Sequence, residues 1–203
     1  LANTQQGWGR AAETWSFMAA LKALGGPDWF QLGDGDLAMH VMRSHRLRAG
    51  DSLSEITADL ARSLDVGADI LPMADEAVRT QLETGDGLLD FQDYFVGRQS
   101  QPVVRELRYD GAQIAQPAEG VIEALSAADI EAIVICPSNP LISIDPILSV
   151  PGIETAIRHA SAPVVAVSPI IAGKAVKGPT AKMLQELGLE ATAATVLQRY
   201  AGL

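Results

Sequence analysis

The chain alternates between stretches with helical spacing and short apolar runs. Residues 11–24 (AAETWSFMAALKAL) place Phe17, Leu21 and Leu24 on one helical face beside Trp15 and Met18, and Gly25-Gly26 stops the pattern. After a short link at 28–36 (DWFQLGDGD), Leu37 and Val41 start a second helix expected to end near Ser44. Ser52-Leu-Ser-Glu55 has the form of a capping box, in which the serine hydroxyl and the glutamate carboxylate each satisfy a backbone N–H at the helix start. Behind it, Leu53, Ile56, Leu60 and Leu64 repeat at helical intervals. Residues 78–84 (VRTQLET) predict a strand. Residues 87–98 (GLLDFQDYFVGR) predict a helix with Leu88, Phe91 and Phe95 on one face. Residues 103–111 (VVRELRYDG) predict a strand closed by an Asp-Gly turn, and 120–128 a helix.

The last third has the plainest pattern. An apolar strand at 131–136 leaves through CPSNPLISIDPILSVPGI into a helix near 152–160. A second strand, APVVAVS (162–168), leaves through PIIAGKAVKGP into a helix at 180–187. Successive strand–loop–helix units of this length imply parallel strands joined by right-handed crossovers. The near-continuous apolar strands fit a sheet covered on both faces. The expected class is α/β, a three-layer Rossmann-like fold with a mainly parallel sheet. Residues 1–203 are expected to form a single domain, with 78–111 as a small inserted subdomain.

Composition narrows the chemistry. With 203 residues, 48% of them hydrophobic, the chain can bury a sizeable core. A net charge of −10 with 15 basic residues argues against a nucleic-acid backbone as partner. Cys136 is the one cysteine, so no intramolecular disulfide forms, which fits a reducing, cytoplasmic setting. Its place at a strand end suggests a buried structural thiol. The five methionines (Met18, Met39, Met42, Met73 and Met183) suggest core filling. His40 and His45 stand five apart rather than four, His159 lies elsewhere, and Cys136 has no cysteine partner, which argues against zinc. No GxSxG, GxxxxGK[ST] or GxGxxG pattern occurs.

In open α/β sheets, ligands bind beyond the carboxyl ends of the strands. The loop at 136–146 offers Ser138, Asn139 and Ser143. The loop at 168–179 offers Ser168, Gly173, Gly178, Lys174 and Lys177, with Lys182 one turn into the next helix. Hydroxyls, backbone N–H groups and lysines suit phosphate oxygens, and prolines stiffen the loop before binding. The same residues are also ordinary turn formers. Asp34 and Asp36 precede a helix. Asp36 reads either as an N-cap or, with Asp34, as facing a ligand or hydrated Mg²⁺. Asp75 and Asp145 read as turn or cap residues.

Five stretches carry a resemblance: WGRAAETWSFMAALKALGGPDWFQLGDGDLAMH, ILPMADEAVRT, FQDYFVGR, CPSNPLISIDPILSVPGI and APVVAVSPIIAGKAVKGPTAKMLQELGLE, in this order. Together they resemble the 2-phospho-L-lactate transferase family (CofD-type), which acts in biosynthesis of the deazaflavin coenzyme F-420. The PSNPxxS form of residues 137–143 favours that family over its sister group of nucleotide-sugar-binding regulators, the alternative non-catalytic reading. The resemblance implies Mg²⁺, a homodimer, a guanosine diphosphate diester of a three-carbon acid as donor, and the deazaflavin Fo as acceptor. Its terminal ribityl hydroxyl attacks the phosphorus bearing the acid, and GMP leaves. By the same resemblance Pro137, Ser138, Asn139 and Ser143, with Ser168, Gly173, Lys177 and Gly178, bind the guanosine diphosphate moiety, and Gln31, Asp34 and Asp36 lie near the acceptor. Members often carry a basic residue at the position of Gln31, and LGDRD where this chain has LGDGD, so Gly35 removes a charge. The family's glycine-rich opening loop, its acidic SPDLDT segment and its last strand and helices have no counterpart here. The chain is therefore expected to be a fragment lacking both termini, with little turnover alone.

Overall fold

A computed structural model describes residues 11–203. The start of the first resembling stretch, Trp8 to Arg10, lies outside the described residues. The chain divides into two compact units, one ending at Ile70 and the other running over Leu71–Leu203.

The first unit is helical: α1 (Ser16–Ala23), α2 (Asp34–Ala49) and α3 (Leu53–Ser63). The second helix outruns its expected end at Ser44, because residues 45–49 contain no breaker and Gly50 is the first that does. Gly50 takes φ +103°, and its N–H returns to the carbonyls of Arg46 and Leu47. The capping box forms as expected: Ser52 Oγ accepts from the Glu55 N–H at 3.1 Å, and the Glu55 carboxylate accepts from the Ser52 N–H at 2.9 Å. Ile56 and Ala61 of α3 are buried.

In the second unit, β1 (Arg79–Thr84), β2 (Gly87–Asp90) and β3 (Val104–Asp110) form an antiparallel sheet of order β2-β1-β3. The helix expected over 87–98 is corrected here. Residues 87–90 fold back as β2, pairing Gly87 with Thr84 and Asp90 with Gln81. The Thr84 hydroxyl locks the turn, accepting from the Asp86 N–H and donating to the Gly87 carbonyl. Leu88 is half exposed and Leu89 buried, the alternation of a strand. Only the following segment is helical, a π-helical turn at Asp93–Gly97, next to which the rings of Phe91 and Phe95 stack at 5.3 Å. The Asp-Gly turn after β3 is confirmed. Gly111 has φ +85°, and a Cβ there would stand 2.3 Å from the Ala77 carbonyl oxygen.

Next come α4 (Val121–Ser126), β4 (Ile133–Ile135), a π-helical turn at Pro140–Ile144, α5 (Asp145–Leu148), α6 (Ile153–His159) and β5 (Val164–Ala166). β4 and β5 pair in parallel, with Ile133 opposite Val164 and Ile135 opposite Ala166. A hairpin of β6 (Ile170–Ile171) and β7 (Lys174–Ala175) follows, then α7 (Thr180–Glu186) and α8 (Ala193–Arg199). Among the described residues the parallel component is the β4–β5 pair, and the other pairings are antiparallel.

One hydrophobic cluster runs through Leu82, Leu89, Tyr94, Val104, Ile135, Leu141, Met183 and Val196, so the 78–111 segment shares its core with β4, α7 and α8. A second cluster centres on Val150, Ile153 and Ile157. Met18 and Met183 are buried, but Met42 is half exposed and not core filler. Among the described residues no single helix is long and apolar enough to cross a membrane.

Candidate functional site

The parallel register sets the site. Because Ile135 lies opposite Ala166, the two loops leave the same end of neighbouring strands, and the Val167 N–H still donates to the Ile135 carbonyl at 3.0 Å. Cys136 is exposed at this edge, not buried: it is the first residue past the β4 pairing, and the side chain no longer faces the core. The Ser138 N–H turns back to the Cys136 carbonyl at 2.7 Å.

Asn139 caps the π-helical turn, its Oδ1 accepting from the Leu141 N–H at 2.9 Å, with Pro140 behind it where no N–H is required. Its Nδ2 reaches Met183 Sδ at 3.5 Å, so the first loop leans on the helix that follows the second. Pro137 and Ser143 are exposed and Ser138 is half-buried.

The second loop is shaped by its own serine. Ser168 Oγ accepts from the Ile170 N–H at 3.0 Å and donates to the Ile170 carbonyl at 3.1 Å. Ala172 (φ +48°) and Gly173 (φ +76°) make the hairpin turn, a left-handed pair that glycine adopts freely and alanine does not. Lys174, Lys177 and Gly178 are exposed.

Gly178 also lines a cavity of about 510 Å³ with Phe95, Gln99, Ser100, Gln101, Pro179 and Lys182. Gln99 (φ +51°) and Ser100 (φ +56°) are adjacent non-glycine residues in the left-handed region, a strain that commonly marks functional segments. No glycine announces it, so sequence reading had no signal for this wall. Lys182 is held from two sides. Its Nζ donates to the Pro102 carbonyl at 2.9 Å and pairs with Glu186 at 2.6 Å. The other Glu186 oxygen accepts from the Val104 N–H at 3.1 Å.

In the first unit the acidic residues have distinct places. Asp34 does not stand free for a ligand. Its carboxylate accepts from the Thr14 hydroxyl at 2.7 Å and from the Ser16 and Phe17 N–H groups at 3.0 Å each, capping α1 from the start of α2. The Thr14 hydroxyl, then the Phe17 N–H, hold it below the ordinary carboxyl range. Glu13 reciprocates, accepting from the Gly35 N–H at 2.9 Å. Gly33 leaves room for it, since a Cβ there would overlap the Glu13 side chain. Asp36 falls within the first turn of α2, whose N-cap is Gly33, so Asp36 is not the cap. Gln31 is exposed and donates to the Asp28 carbonyl at 2.6 Å.

Asp145, read as a turn or cap residue, opens α5 and also anchors α8. It pairs with Arg199, and the Tyr109 hydroxyl donates to the Leu141 carbonyl at 2.6 Å beside it. Burial, then the Asp145 charge, pushes the Tyr109 phenol well up.

A family model described as 2-phospho-L-lactate transferase CofD matches residues 5–201. The chain belongs to this family. A phosphoenolpyruvate transferase of Kitasatospora aureofaciens is 46% identical over 201 residues, covering 97% of this chain and 62% of that protein. A 2-phospho-L-lactate transferase of Methanosarcina mazei is 38% identical over 193 residues, covering 95% and 62%. The chain thus spans about three-fifths of the length of these relatives. A Bacillus halodurans protein of known crystal structure aligns with a TM-score of 0.52 at 21% identity, over 67% of this chain and 41% of that one, a likeness of fold alone. A second structure, described as a member of the UPF0052 family from the same organism, aligns with a TM-score of 0.50 at 21% identity, over 65% and 40%. These likenesses support the Rossmann-like α/β class.

Proposed function

We propose that this CofD-family chain is part of a transferase that moves a phosphoenolpyruvyl group from a guanosine diphosphate diester to the terminal ribityl hydroxyl of the deazaflavin Fo, releasing GMP, in coenzyme F-420 biosynthesis. The observation that carries this reading is the 46% identity over nearly the whole chain to a phosphoenolpyruvate transferase. The 2-phospho-L-lactate transferase relatives at 38–39% make the lactyl group the less favoured cargo.

The geometry supports a division of labour in the donor loops. Asn139 and Ser168 spend hydrogen bonds on shaping their own loops. Ser138, Ser143 and the exposed Lys174 are then the groups offered to the donor's diphosphate, and Lys177 lies exposed on the same loop, with Gly173 and Gly178 permitting close backbone approach. The donor is held for in-line attack, and the lysines offset charge building on the departing GMP. The reaction balances without a covalent enzyme intermediate: the acceptor oxygen forms a bond to phosphorus, the bond to GMP breaks, and the hydroxyl proton goes to solvent or a base. Among the described residues no three His, Cys, Asp or Glu side chains gather as a metal site. Asp34 is committed to capping α1. Mg²⁺ usually takes one or two carboxylates plus substrate phosphates, so in this reading the donor's diphosphate would bring most of its ligands, and no step is routed through it.

The test supplies the intact protein with Fo, Mg²⁺ and either guanylylated phosphoenolpyruvate or guanylylated 2-phospholactate, and identifies the product by mass. Fo-dependent GMP release with the phosphoenolpyruvyl product is expected. No Fo adduct with either donor overturns the reading.

A further inference from the structure

The first unit holds a cleft that the transferase reading does not use. It lies between α2 and α3, has a volume of about 230 Å³, and is lined mainly by apolar side chains, among them Met39, Leu53, Leu60 and Leu64. Val66 and Ile70 extend the wall, and with Leu64 they stay 41–48% exposed. The volume is roughly that of eight waters, which suits one or two fused rings and is too small for a nucleotide.

The polar end is built from a specific pair. Arg43 Nη2 donates to His40 Nδ1 at 2.8 Å. Arginine has only donors, so Nδ1 accepts, the imidazole is neutral, and its proton sits on Nε2. Burial and the Arg43 charge both hold His40 in that form, against the pull of Asp36 one turn earlier. Among the described residues no carboxylate lies within ion-pairing distance of Arg43, whereas Arg46, one turn on, pairs with both Asp51 and Asp59. An apolar slot thus ends in a guanidinium lacking a counter-anion and an imidazole N–H beside it.

We propose that this cleft binds a small amphipathic aromatic anion, with its rings on Leu53, Leu60 and Leu64 and its anionic oxygen on Arg43 and His40. The assignment is independent of the transferase reading: it requires neither donor nor acceptor. A flat ring covers leucine and valine surface now facing water, and a carboxylate, sulfonate or phenolate oxygen supplies the missing charge.

The probes are 2-naphthoate and its neutral analogue 2-naphthamide, titrated calorimetrically into the protein. The naphthoate is expected to bind at least about tenfold more tightly, the difference made by a hydrogen-bonded ion pair. Arg43→Met should erase that preference while sparing the amide. Leu60→Trp, which fills the slot, should abolish both, with circular dichroism confirming that α2 and α3 persist. Equal binding of the two probes, or naphthoate binding unchanged in both variants, overturns the proposal, as does failure of the naphthoate to bind the wild type.

Discussion

Asp34 shows how far a single side chain departs from its sequence reading. An aspartate ahead of a helix is ordinarily taken as that helix's own cap or, in a motif such as LGDGD, as a ligand. Here it begins α2 and caps α1, satisfying two N–H groups that α1 itself leaves open. Trp15, the residue preceding α1, offers no side-chain cap. Asp34→Asn should lower the thermal midpoint of the protein and loosen α1, checked by circular dichroism and amide exchange at Ser16 and Phe17. The pH dependence has a definite sign. The folded carboxyl titrates below its ordinary 3.8, so its stabilisation is complete above that value and lost as pH falls through the depressed folded one. The variant should show less acid destabilisation in that window than the wild type.

At the scale of elements, the placement of α7 depends on one ion pair with a second duty. Glu186 holds Lys182 with one oxygen and the Val104 N–H with the other, tying α7 to β3. Glu186→Ala leaves a buried backbone donor unpaired and should cost about 1–3 kcal/mol, measured by urea denaturation. Lys182→Met keeps the Val104 bond and should cost less, so the ranking of the two variants separates the backbone bond from the ion pair. The misread stretch at 87–98 belongs to this scale. Leu88, Phe91 and Phe95 have helical spacing, but the hydroxyl-locked turn from Thr84 to Gly87 imposes strand pairing first, and local periodicity yields to a β1 edge awaiting a partner. The GDG at 85–87 was the available signal for a hairpin.

For the molecule as a whole, all three tyrosines are displaced the same way. Burial raises Tyr94, raises Tyr109 further with help from Asp145, and brings Tyr200 to about 12. A folded phenol above its unfolded value near 10 favours the fold. That contribution is complete below pH 10 and is lost as pH climbs from there towards 12 and beyond. Phenolate absorbance should therefore be nearly absent from the native protein at pH 10 and appear on adding denaturant. Native protein that is half ionised at pH 10 would show these phenols to be open to water. The second unit should fail as one body at that point, since Tyr94 and Tyr200 belong to the same core cluster as Leu82, Leu141 and Met183.

The β6–β7 hairpin inside the second loop, α5 and α8 were not read from the sequence, whereas the two strand–loop–helix units of the last third, the capping box at Ser52 and the Asp-Gly turn after β3 were legible from residue order. Each rests on interactions between near neighbours: helical spacing, a cap three residues away, a turn needing glycine. The family, too, is written in those local motifs. What residue order left open is which distant groups meet. The capture of α1 by Asp34, the exposure of Cys136, the reach of Asn139 to Met183, the strained wall at Gln99 and Ser100, and the Arg43–His40 pair at the end of an apolar slot all join residues through packing. A side chain's partner across the fold depends on where several elements come to rest together, and no window along the chain contains that information.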